Sequence, residues 1–383
     1  MNSAPDSIRS RVLTALAKVT DPEIRKPITE LDMVSGVTVS DEGLVTVGIR
    51  LTIAGCPAAA RIESDVLAAA ESEAGAGRAS VEVAVMTREQ RTALTEKLRG
   101  GQVERSVQFG PESLTRVYAI TSGKGGVGKS TVTANLAVAL AGEGLRVGIV
   151  DADVHGFSIP GLLGLVHDGL AVKPTQVGDM ILPPIAHDVK VISIGMFIDD
   201  ASAAVAWRGP MLHRTIKQFL TDVYFGDLDV LLLDLPPGTG DVAITVGQLL
   251  PHAEVIVVTT PQAAAADVAE RSGIVARQTG QSVFGVIENM SAMVQADGSL
   301  LELFGSGGGA EVARRLSVGQ TTAVPVLAQV PLSLLLRTGG DAGLPVVLGA
   351  PDDPAARAIL ALARSMKTRA RGLAGLSLGL TPR

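Results

Sequence analysis

The spacing of hydrophobic residues differs between residues 1–90 and the remainder of the chain. In the first part, Ile8, Val12 and Leu16 recur on one helical face, which predicts an amphipathic helix over residues 7–19. Three further runs follow with the alternation or β-branched content of strands, at 35–39, 44–52 and 80–86, and a helical run lies at 58–73. We therefore predict a small α+β domain over residues 1–90.

From residue 114 onward, short β-branched runs that are apolar on both faces alternate with helical stretches and long connections. These runs lie at 117–121, 147–151, 189–194, 230–234, 255–259, 283–288 and 326–328. Strands that are apolar on both faces are typical of a parallel sheet covered by helices on both sides. We predict a doubly wound α/β domain with a mostly parallel sheet over 114–365, a helical or flexible linker over 91–113, and a basic, then Gly/Leu-rich tail over 366–383.

Composition excludes several classes of protein. A single cysteine, Cys56, cannot form an intramolecular disulfide, and it excludes a zinc site made of several cysteines of one chain. A net charge of −6 gives no overall basic surface for nucleic acid. No apolar run is long enough to cross a membrane, and the first residues lack a signal-peptide core. We expect a cytoplasmic protein without nucleic-acid or membrane partners.

The run from residue 117 to 131 carries the strongest chemical signal. The strand at 117–121 leads into G-x-x-x-x-G-K-[ST], and a helix is predicted directly after it, over 132–141. Glycines allow backbone N–H groups to close around phosphate oxygens at a helix N-terminus. This motif predicts ATP binding by Gly123, Lys124, Gly125, Gly126, Val127, Gly128, Lys129, Ser130 and Thr131. Lys129 is expected to reach the β- and γ-phosphates, and the Ser130 hydroxyl to bind Mg²⁺.

The same residues also contain G-x-G-x-x-G, the pattern of a dinucleotide-binding fold, with Asp151 where a ribose ligand would be expected. That alternative leaves Lys129 and Ser130 unexplained. It also leaves unexplained the apolar strand at 230–234, which ends in Asp234 and has the Walker B form that holds Mg²⁺ directly or through water. We therefore interpret the site as a nucleoside-triphosphate site with Ser130 and Asp234 as magnesium ligands.

A lysine at the second position of the loop, Lys124 in K-G-G-x-G-K-S, resembles the deviant Walker A group that includes MinD-like and ParA-like ATPases. The resemblance implies that Lys124 reaches the phosphates of a partner across a nucleotide-sandwich homodimer, as an arginine finger does. It also implies that Asp153 orients the attacking water, so the expected catalytic residues are Lys124, Lys129 and Asp153. The alternatives are a solvated lysine and a loop-capping aspartate.

Further motifs narrow the resemblance. GKGGVGKST, DLPPGTGD at 234–241, WRGPM at 207–211, ENMS at 288–291 and FGSGGG at 304–309 together resemble the Mrp/ApbC family of iron–sulfur cluster carrier ATPases. Residues 21–23, 31–34 and 55–57 resemble a SufT-like domain, which is often fused ahead of such ATPases. The resemblance implies an ATP-hydrolysing homodimer that delivers clusters to apoprotein clients, with Asn289 reading the adenine base.

One departure concerns the cluster itself. Many relatives carry Cys-x-x-Cys where this chain has residues 292–298 without any cysteine, and a [4Fe–4S] cluster normally takes four thiolates. Cys56 lies between a predicted strand and a predicted helix, where the helix dipole would favour a thiolate. The resemblance to a SufT-like domain implies that this cysteine engages iron–sulfur chemistry, which makes it the candidate cluster ligand. The alternative is a small buried hydrophobic residue.

Three alternatives stay open at this point. The chain could be a positioning ATPase of the MinD/ParA class, or an assembly ATPase that never holds a cluster itself. The stretch from 355 to 376 has the pattern of a membrane-surface helix or of a final helix packed on the sheet with a basic end. The histidines show no ligand spacing, although His155 lies next to Asp153 in sequence and could touch the nucleotide.

Overall fold

The computed structural model describes residues 4–100, 108–154, 156–198, 209–295 and 297–369. His155, Trp207 and the tail from residue 370, about which the sequence made predictions, lie outside the described residues. The chain divides into two compact units. Unit 1 comprises Met1–Arg105, Pro174–Pro183 and Asp222–Gly226, and unit 2 comprises Ser106–Lys173, Pro184–Thr221 and Asp227–Arg383.

The helices and strands of the described residues have the following bounds. The helices are α1 Ala4–Leu16, α2 Ala59–Ala74, α3 Arg88–Leu98, α4 Lys129–Gly142, α5 Ile159–Leu162, α6 Gly209–Thr221, α7 Asp241–Leu249, α8 Ala263–Gln278, α9 Gly308–Ser317, α10 Leu334–Asp341, α11 Val346–Gly349 and α12 Pro354–Thr368. The strands are β1 Val34–Val39, β2 Val45–Leu51, β3 Ala79–Val85, β4 Arg116–Ser122, β5 Val147–Asp151, β6 Val166–His167, β7 Leu170–Ala171, β8 Thr175–Val177, β9 Met180–Leu182, β10 Ile185–Ala186, β11 Val189–Ser193, β12 Val230–Asp234, β13 Glu254–Thr259, β14 Ser282–Ser291, β15 Met293–Val294, β16 Leu300–Leu301 and β17 Val326–Pro331.

Unit 1 is built on a three-stranded sheet in the order β1-β2-β3, with β1 antiparallel and β3 parallel to β2. Alternate residues of β2 are buried, as expected for a strand with one face on a core. The helices α1 and α2 supply Leu16, Ile62 and Val66, each of which is at most 1% exposed. The core therefore lies between one face of the sheet and these two helices.

Residues far along the chain complete this core. Val177, Met180 and Leu182 of the β8–β9 hairpin are buried in it, together with Tyr224. Unit 1 therefore contains two segments that the sequence placed inside the domain 114–365.

Helix α3 overlaps the predicted linker, yet it belongs to unit 1 and contributes the buried Leu94. The helix begins with a capping box, in which the Thr87 side chain accepts from the Gln90 N–H and the Gln90 side chain accepts from the Thr87 N–H. The observed division thus departs from the predicted boundaries at the linker and at the two inserted segments.

Unit 2 confirms the predicted fold class. Its eight-stranded sheet has the order β10-β11-β5-β12-β4-β13-β14-β17, and every pairing is parallel except that of the edge strand β10 with β11. The residues of β5, β11 and β12 are buried without exception. Strands in the middle of a doubly wound sheet lie beneath helices on both faces, which explains their uniform apolar character.

The last helix of the description, α12, packs its apolar side inward. Ile359, Leu362 and Met366 are at most 3% exposed, and the basic side chains of Arg364 and Lys367 each lie 3.2 Å from a carboxylate oxygen of Glu143. Residues 354–368 therefore form a final helix that is packed by its apolar side, which is the second of the two alternatives considered for this stretch. Among the described residues, no helix combines the length and the apolar composition that are needed to cross a membrane.

The register of the sheet brings the carboxyl ends of three strands together. Asp151 of β5 lies beside Asp234 of β12 on one side and beside Ser193 of β11 on the other. Ligands of open α/β sheets bind at this edge, where loops leave the strands. The P-loop leaves β4, the neighbour of β12, at the same edge.

Candidate nucleotide-binding site

The P-loop joins β4 to α4 through a run of glycines. Gly126 and Gly128 have φ values of +79° and +78°, a left-handed conformation that glycine adopts readily and that L side chains rarely adopt. Gly128 is the N-cap of α4, so the loop ends where the helix presents its free N–H groups. This arrangement is suited to binding phosphate oxygens.

Two glycines of the loop meet very different surroundings. A Cβ at Gly123 would lie 2.3 Å from the backbone nitrogen of Ala269 in α8, whereas one at Gly125 would meet only Pro237 Cγ, at 4.0 Å. Gly123 is therefore required by the packing of the loop against a helix backbone, and Gly125 is not.

We expect Gly123→Ala to lower the free energy of unfolding by about 1–3 kcal/mol, because backbone must move to admit the methyl group. The same substitution at Gly125 is the matched control, and we expect it to stay within about 0.5 kcal/mol of wild type. Thermal unfolding of the nucleotide-free proteins measures both. Equal shifts for the two variants would contradict the packing argument.

Lys129 lies between two carboxylates, those of Asp234 and Asp153. Its Nζ is 2.8 Å from Asp234 Oδ2, 3.8 Å from Asp153 Oδ2 and 3.1 Å from Ser130 Oγ. The side chains of Lys129, Asp153 and Asp234 are 5%, 9% and 0% exposed. The structure thus brings together four predicted site residues, namely Lys129, Ser130, Asp153 and Asp234.

Asp234 is surrounded by hydroxyl groups as well. Ser130 Oγ donates to Asp234 Oδ2 over 2.5 Å, and Thr133 Oγ1 lies 2.9 Å from Asp234 Oδ1. A hydroxyl and a carboxylate are the hard oxygen ligands that Mg²⁺ prefers, with phosphate and water filling its remaining positions. Ser130 and Asp234 therefore fit the metal, which would neutralise phosphate charge when bound. The sequence reasoning missed Thr133, although it lies one helical turn after Lys129 and so faces the same side.

Asp151 is wholly buried beside this cluster. Its two oxygens accept from Ser193 Oγ at 2.9 Å and from the Asp153 N–H at 3.2 Å. Burial, and then the negative charge of Asp234, raise the pKa of Asp151 well above its ordinary value. Because the Asp151 side chain is 0% exposed, it cannot bind the ribose of a dinucleotide. The dinucleotide-binding alternative is therefore left without its acidic ribose ligand. Ser193 was also missed, although it ends a strand beside Asp151.

Asp153 makes a loop-capping bond and also faces the P-loop lysine. Its Oδ1 accepts from the Gly156 N–H at 3.1 Å, which is a loop cap, while its Oδ2 faces Lys129. The capping bond fixes the carboxylate at the rim of the cluster. This placement suits a residue that orients water beside the γ-phosphate.

Lys124 lies apart from the carboxylates. Its Nζ donates to Gln262 Oε1 over 2.9 Å, and Gln262 is the N-cap residue of α8. The side chain is half-buried and has a defined partner, which differs from a solvated lysine on a loose loop. The sequence reasoning did not anticipate Gln262.

Asn289 and its neighbour Glu288 join the end of β14 to the P-loop, to the start of α9 and to β17. Asn289 Nδ2 donates to the Val127 carbonyl of the P-loop at 2.9 Å. Glu288 accepts from the Gly309 N–H at 2.6 Å and from Gln329 Nε2 at 2.8 Å. The ENMS and FGSGGG motifs are therefore in contact with one another, and the first of them also contacts the phosphate loop.

Cys56, the candidate cluster ligand, lies in unit 1 and is 6% exposed. Burial raises the pKa of its thiol to about 11, and the nearby charges of Glu23 and Asp21 act in the same direction. The backbone N–H groups of Ala58 and Ala59 lower it, as expected at the start of a helix, but burial dominates. The start of the helix therefore acts in the predicted direction, but burial outweighs it and favours the thiol.

Glu23 links Cys56 to the inserted hairpin of unit 1. Glu23 Oε2 lies 3.9 Å from Cys56 Sγ, and Glu23 Oε1 accepts from Thr175 Oγ1 at 2.8 Å. Within the parts of the chain that the structure describes, no cluster of three or more histidine, cysteine, aspartate or glutamate side chains could hold a metal ion.

Two family matches together cover most of the chain. Residues 113–367 match the family described as NUBPL iron-transfer P-loop NTPase. The chain belongs to this family. Residues 9–85 of this NUBPL-type NTPase match a second family, described as iron-sulfur cluster assembly protein.

Curated relatives extend along almost the whole NUBPL-type chain. An iron-sulfur cluster carrier protein of Mycobacterium leprae is 55% identical over 98% of this chain and 97% of the relative. One from Synechocystis is 39% identical over 93% and 96%. Among solved structures, a nucleotide-binding protein from Archaeoglobus fulgidus in complex with ADP is 36% identical over 62% of this chain and 89% of that one, with a TM-score of 0.48.

Family membership confirms the resemblance and the class of enzyme. The NUBPL-type NTPase is a nucleotide-binding P-loop ATPase with an iron–sulfur assembly segment at its N-terminal end, as predicted. The roles given to individual residues of the site remain predictions.

Proposed function

We propose that this protein is an ATP-hydrolysing carrier of iron–sulfur clusters, with the cluster as cargo and apoproteins as its recipients. One observation carries the proposal. The Lys129–Asp234–Ser130 cluster at a P-loop occurs in the same chain as a segment that matches iron–sulfur cluster assembly proteins. The names of the curated relatives support it.

The residues of the site divide the work of hydrolysis. Lys129 and the N–H groups at the start of α4 bind the triphosphate, and Ser130 and Asp234 hold Mg²⁺, which offsets phosphate charge. Asp153 orients the attacking water. Binding of the triphosphate takes Lys129 from its bond to Asp234, so the carboxylate becomes free to hold the metal.

The proposal includes a homodimer in the cytoplasm. Lys124 is the P-loop lysine that does not face the carboxylates of its own chain, since it bonds to Gln262. A second copy that placed its Lys124 over the phosphates would add positive charge where the transition state needs it. A chain with one cysteine has no intramolecular disulfide to maintain, which suits a reducing compartment.

Cys56 is the proposed protein ligand of the cargo. A dimer supplies two such thiols, fewer than the four that a [4Fe–4S] cluster normally takes, so iron positions would remain open for ligands of the recipient. Binding iron requires loss of the thiol proton and opening of the pocket that buries Sγ. A change of conformation with nucleotide state would supply that opening.

A second candidate function has its own support. An assembly ATPase that never holds a cluster is favoured by the raised pKa of Cys56 and by its burial.

Anaerobic reconstitution with iron and sulfide separates the two candidates. We expect the wild-type protein, with Mg-ATP, to gain the visible absorbance of a cluster, and Cys56→Ser to lose it. Glu23→Gln is the matched control and should keep the absorbance. This variant removes a neighbouring charge that raises the pKa of Cys56, but it leaves the thiol in place. Wild-type protein without bound iron and sulfide would exclude the carrier and favour the second candidate.

A further inference from the structure

The end of strand β14 makes a specific contact with the phosphate loop. Asn289 is 3% exposed, and its Nδ2 donates to the carbonyl oxygen of Val127 over 2.9 Å. Val127 stands between Gly126 and Gly128, both left-handed, so the direction of its carbonyl group sets the course of the loop. The bond thus restrains the part of the loop that leads directly into Lys129.

Packing reinforces the bond. A Cβ placed on Gly128 would lie 2.2 Å from Asn289 Nδ2, so the amide occupies the space that a side chain would need. Gly128 is the N-cap of α4, the helix end that presents N–H groups to phosphate. Asn289 therefore touches the loop at two successive residues immediately before the phosphate-binding helix.

The strand end that carries Asn289 is itself held firmly. Glu288, 1% exposed, uses Oε2 to accept from the Gly309 N–H at 2.6 Å and Oε1 to accept from Gln329 at 2.8 Å. β14 is paired with β13 on one side and β17 on the other. The amide of Asn289 is therefore presented to the loop from a rigid support.

We infer that Asn289 is a positioning residue of the phosphate loop, acting through Val127 and Gly128 on triphosphate binding whatever base the nucleotide carries. The inference deepens the proposed function, because it rests on nucleotide binding at this P-loop. It differs from the expectation that Asn289 reads adenine, for which an asparagine would use its amide N–H and carbonyl on the base.

Binding of three ligands tests the inference. ATP, GTP and ribose 5-triphosphate, each with Mg²⁺, are titrated into wild type, Asn289→Ala and Asn289→Asp. We expect Asn289→Ala to weaken all three by a similar factor, roughly fivefold to thirtyfold, which corresponds to one lost buried hydrogen bond. Asn289→Asp should weaken binding at least as much, because a carboxylate oxygen would face the Val127 carbonyl.

A role in base reading alone gives the opposite pattern. It would leave ribose 5-triphosphate binding at the wild-type value, and Asn289→Asp would keep an acceptor for the adenine amino group. Either result, or unchanged binding of all three ligands by Asn289→Ala, would overturn the inference.

Controls separate this inference from the proposed function. Gln295→Ala, an exposed amide beyond the same strand that bonds to Ser299, should bind all three ligands as wild type does. Thermal unfolding checks that each variant is folded. Wild type that binds no triphosphate would overturn both the proposed function and the inference, whereas normal wild-type binding with unaffected Asn289 variants overturns the inference alone.

Discussion

Replacing Lys129 by alanine is expected to lower ATP turnover by roughly 10²–10³-fold or more, since it removes the cation closest to the developing charge on the phosphates. The side chain is already positioned, with Nζ held between Asp234 and Asp153 and 5% of its surface exposed. No other lysine of the loop can replace it, because Lys124 bonds to Gln262. Steady-state phosphate release measures the effect.

The matched control is Lys367→Ala, which removes a lysine of α12 that bonds to Glu143 and should leave turnover unchanged. Wild-type turnover by Lys129→Ala would show that this P-loop is not the catalytic centre.

Stability gives a second readout for the Lys129 variant. Lys129 lowers the pKa of Asp151, which burial holds well above its ordinary value. A carboxyl group whose pKa is raised on folding contributes stability at low pH and loses it as the pH rises. Loss of the lysine raises the pKa of Asp151 further. The fall in melting temperature from wild type to Lys129→Ala should therefore be larger at pH 8 than at pH 5.

Replacing Lys124 by alanine is expected to reduce turnover by roughly 10³-fold while ATP still binds, as for removal of an arginine finger. Among the described residues Lys124 bonds to Gln262 and forms no ion pair with the carboxylate cluster, so its expected contribution is positive charge at the phosphates of a partner. Gln262→Ala is the matched control, because it removes the partner of Lys124 and leaves the lysine. Equal losses in the two variants would mean that Lys124 acts only through Gln262.

Mixing two inactive variants tests whether Lys124 acts across a dimer. Lys124→Ala and Asp153→Asn are each expected to be inactive alone. In a mixed dimer, the site with Asp153 intact receives Lys124 from the other chain, so a one-to-one mixture should recover about one quarter of wild-type turnover for a symmetric dimer. A mixture that stays inactive would contradict action in trans.

The seven parallel strands of the eight-stranded sheet could be predicted from the sequence, because most of them are apolar on both faces and lie beneath helices. A run such as residues 230–234 is apolar up to its final aspartate and buried at every position, so local composition is sufficient. The same holds for the P-loop, whose glycines and lysine are contiguous in sequence. The observed strands therefore agree with the expected ones to within a few residues at each end.

Features that depend on distant residues could not be predicted in this way. The strands β8 and β9 have three residues each, too few to show a period, and their buried positions are set by residues of unit 1. Helix α3 is strongly polar, which is typical of a helical linker, yet it begins with a capping box formed by Thr87 and Gln90 and buries Leu94 in the core of unit 1.

The same distinction applies to the site. The start of α2 after Cys56 is a local signal, and it does lower the pKa of the thiol through Ala58 and Ala59. The larger effect is burial, which arises from the packing of the whole unit and has no local signature. Similarly, the pairing of Lys124 with Gln262 joins positions that are 138 residues apart.

The composition of unit 1 from three separate segments has a consequence for how the protein is made. During synthesis the ribosome releases residues 1–105 long before Pro174–Pro183 and Asp222–Gly226. The buried positions of Val177, Met180 and Tyr224 are vacant until then, so the N-terminal unit cannot complete its core first, as domains usually do. A fragment that stops at residue 105 should expose apolar surface and aggregate, and any exchange of this unit between relatives must carry all three segments.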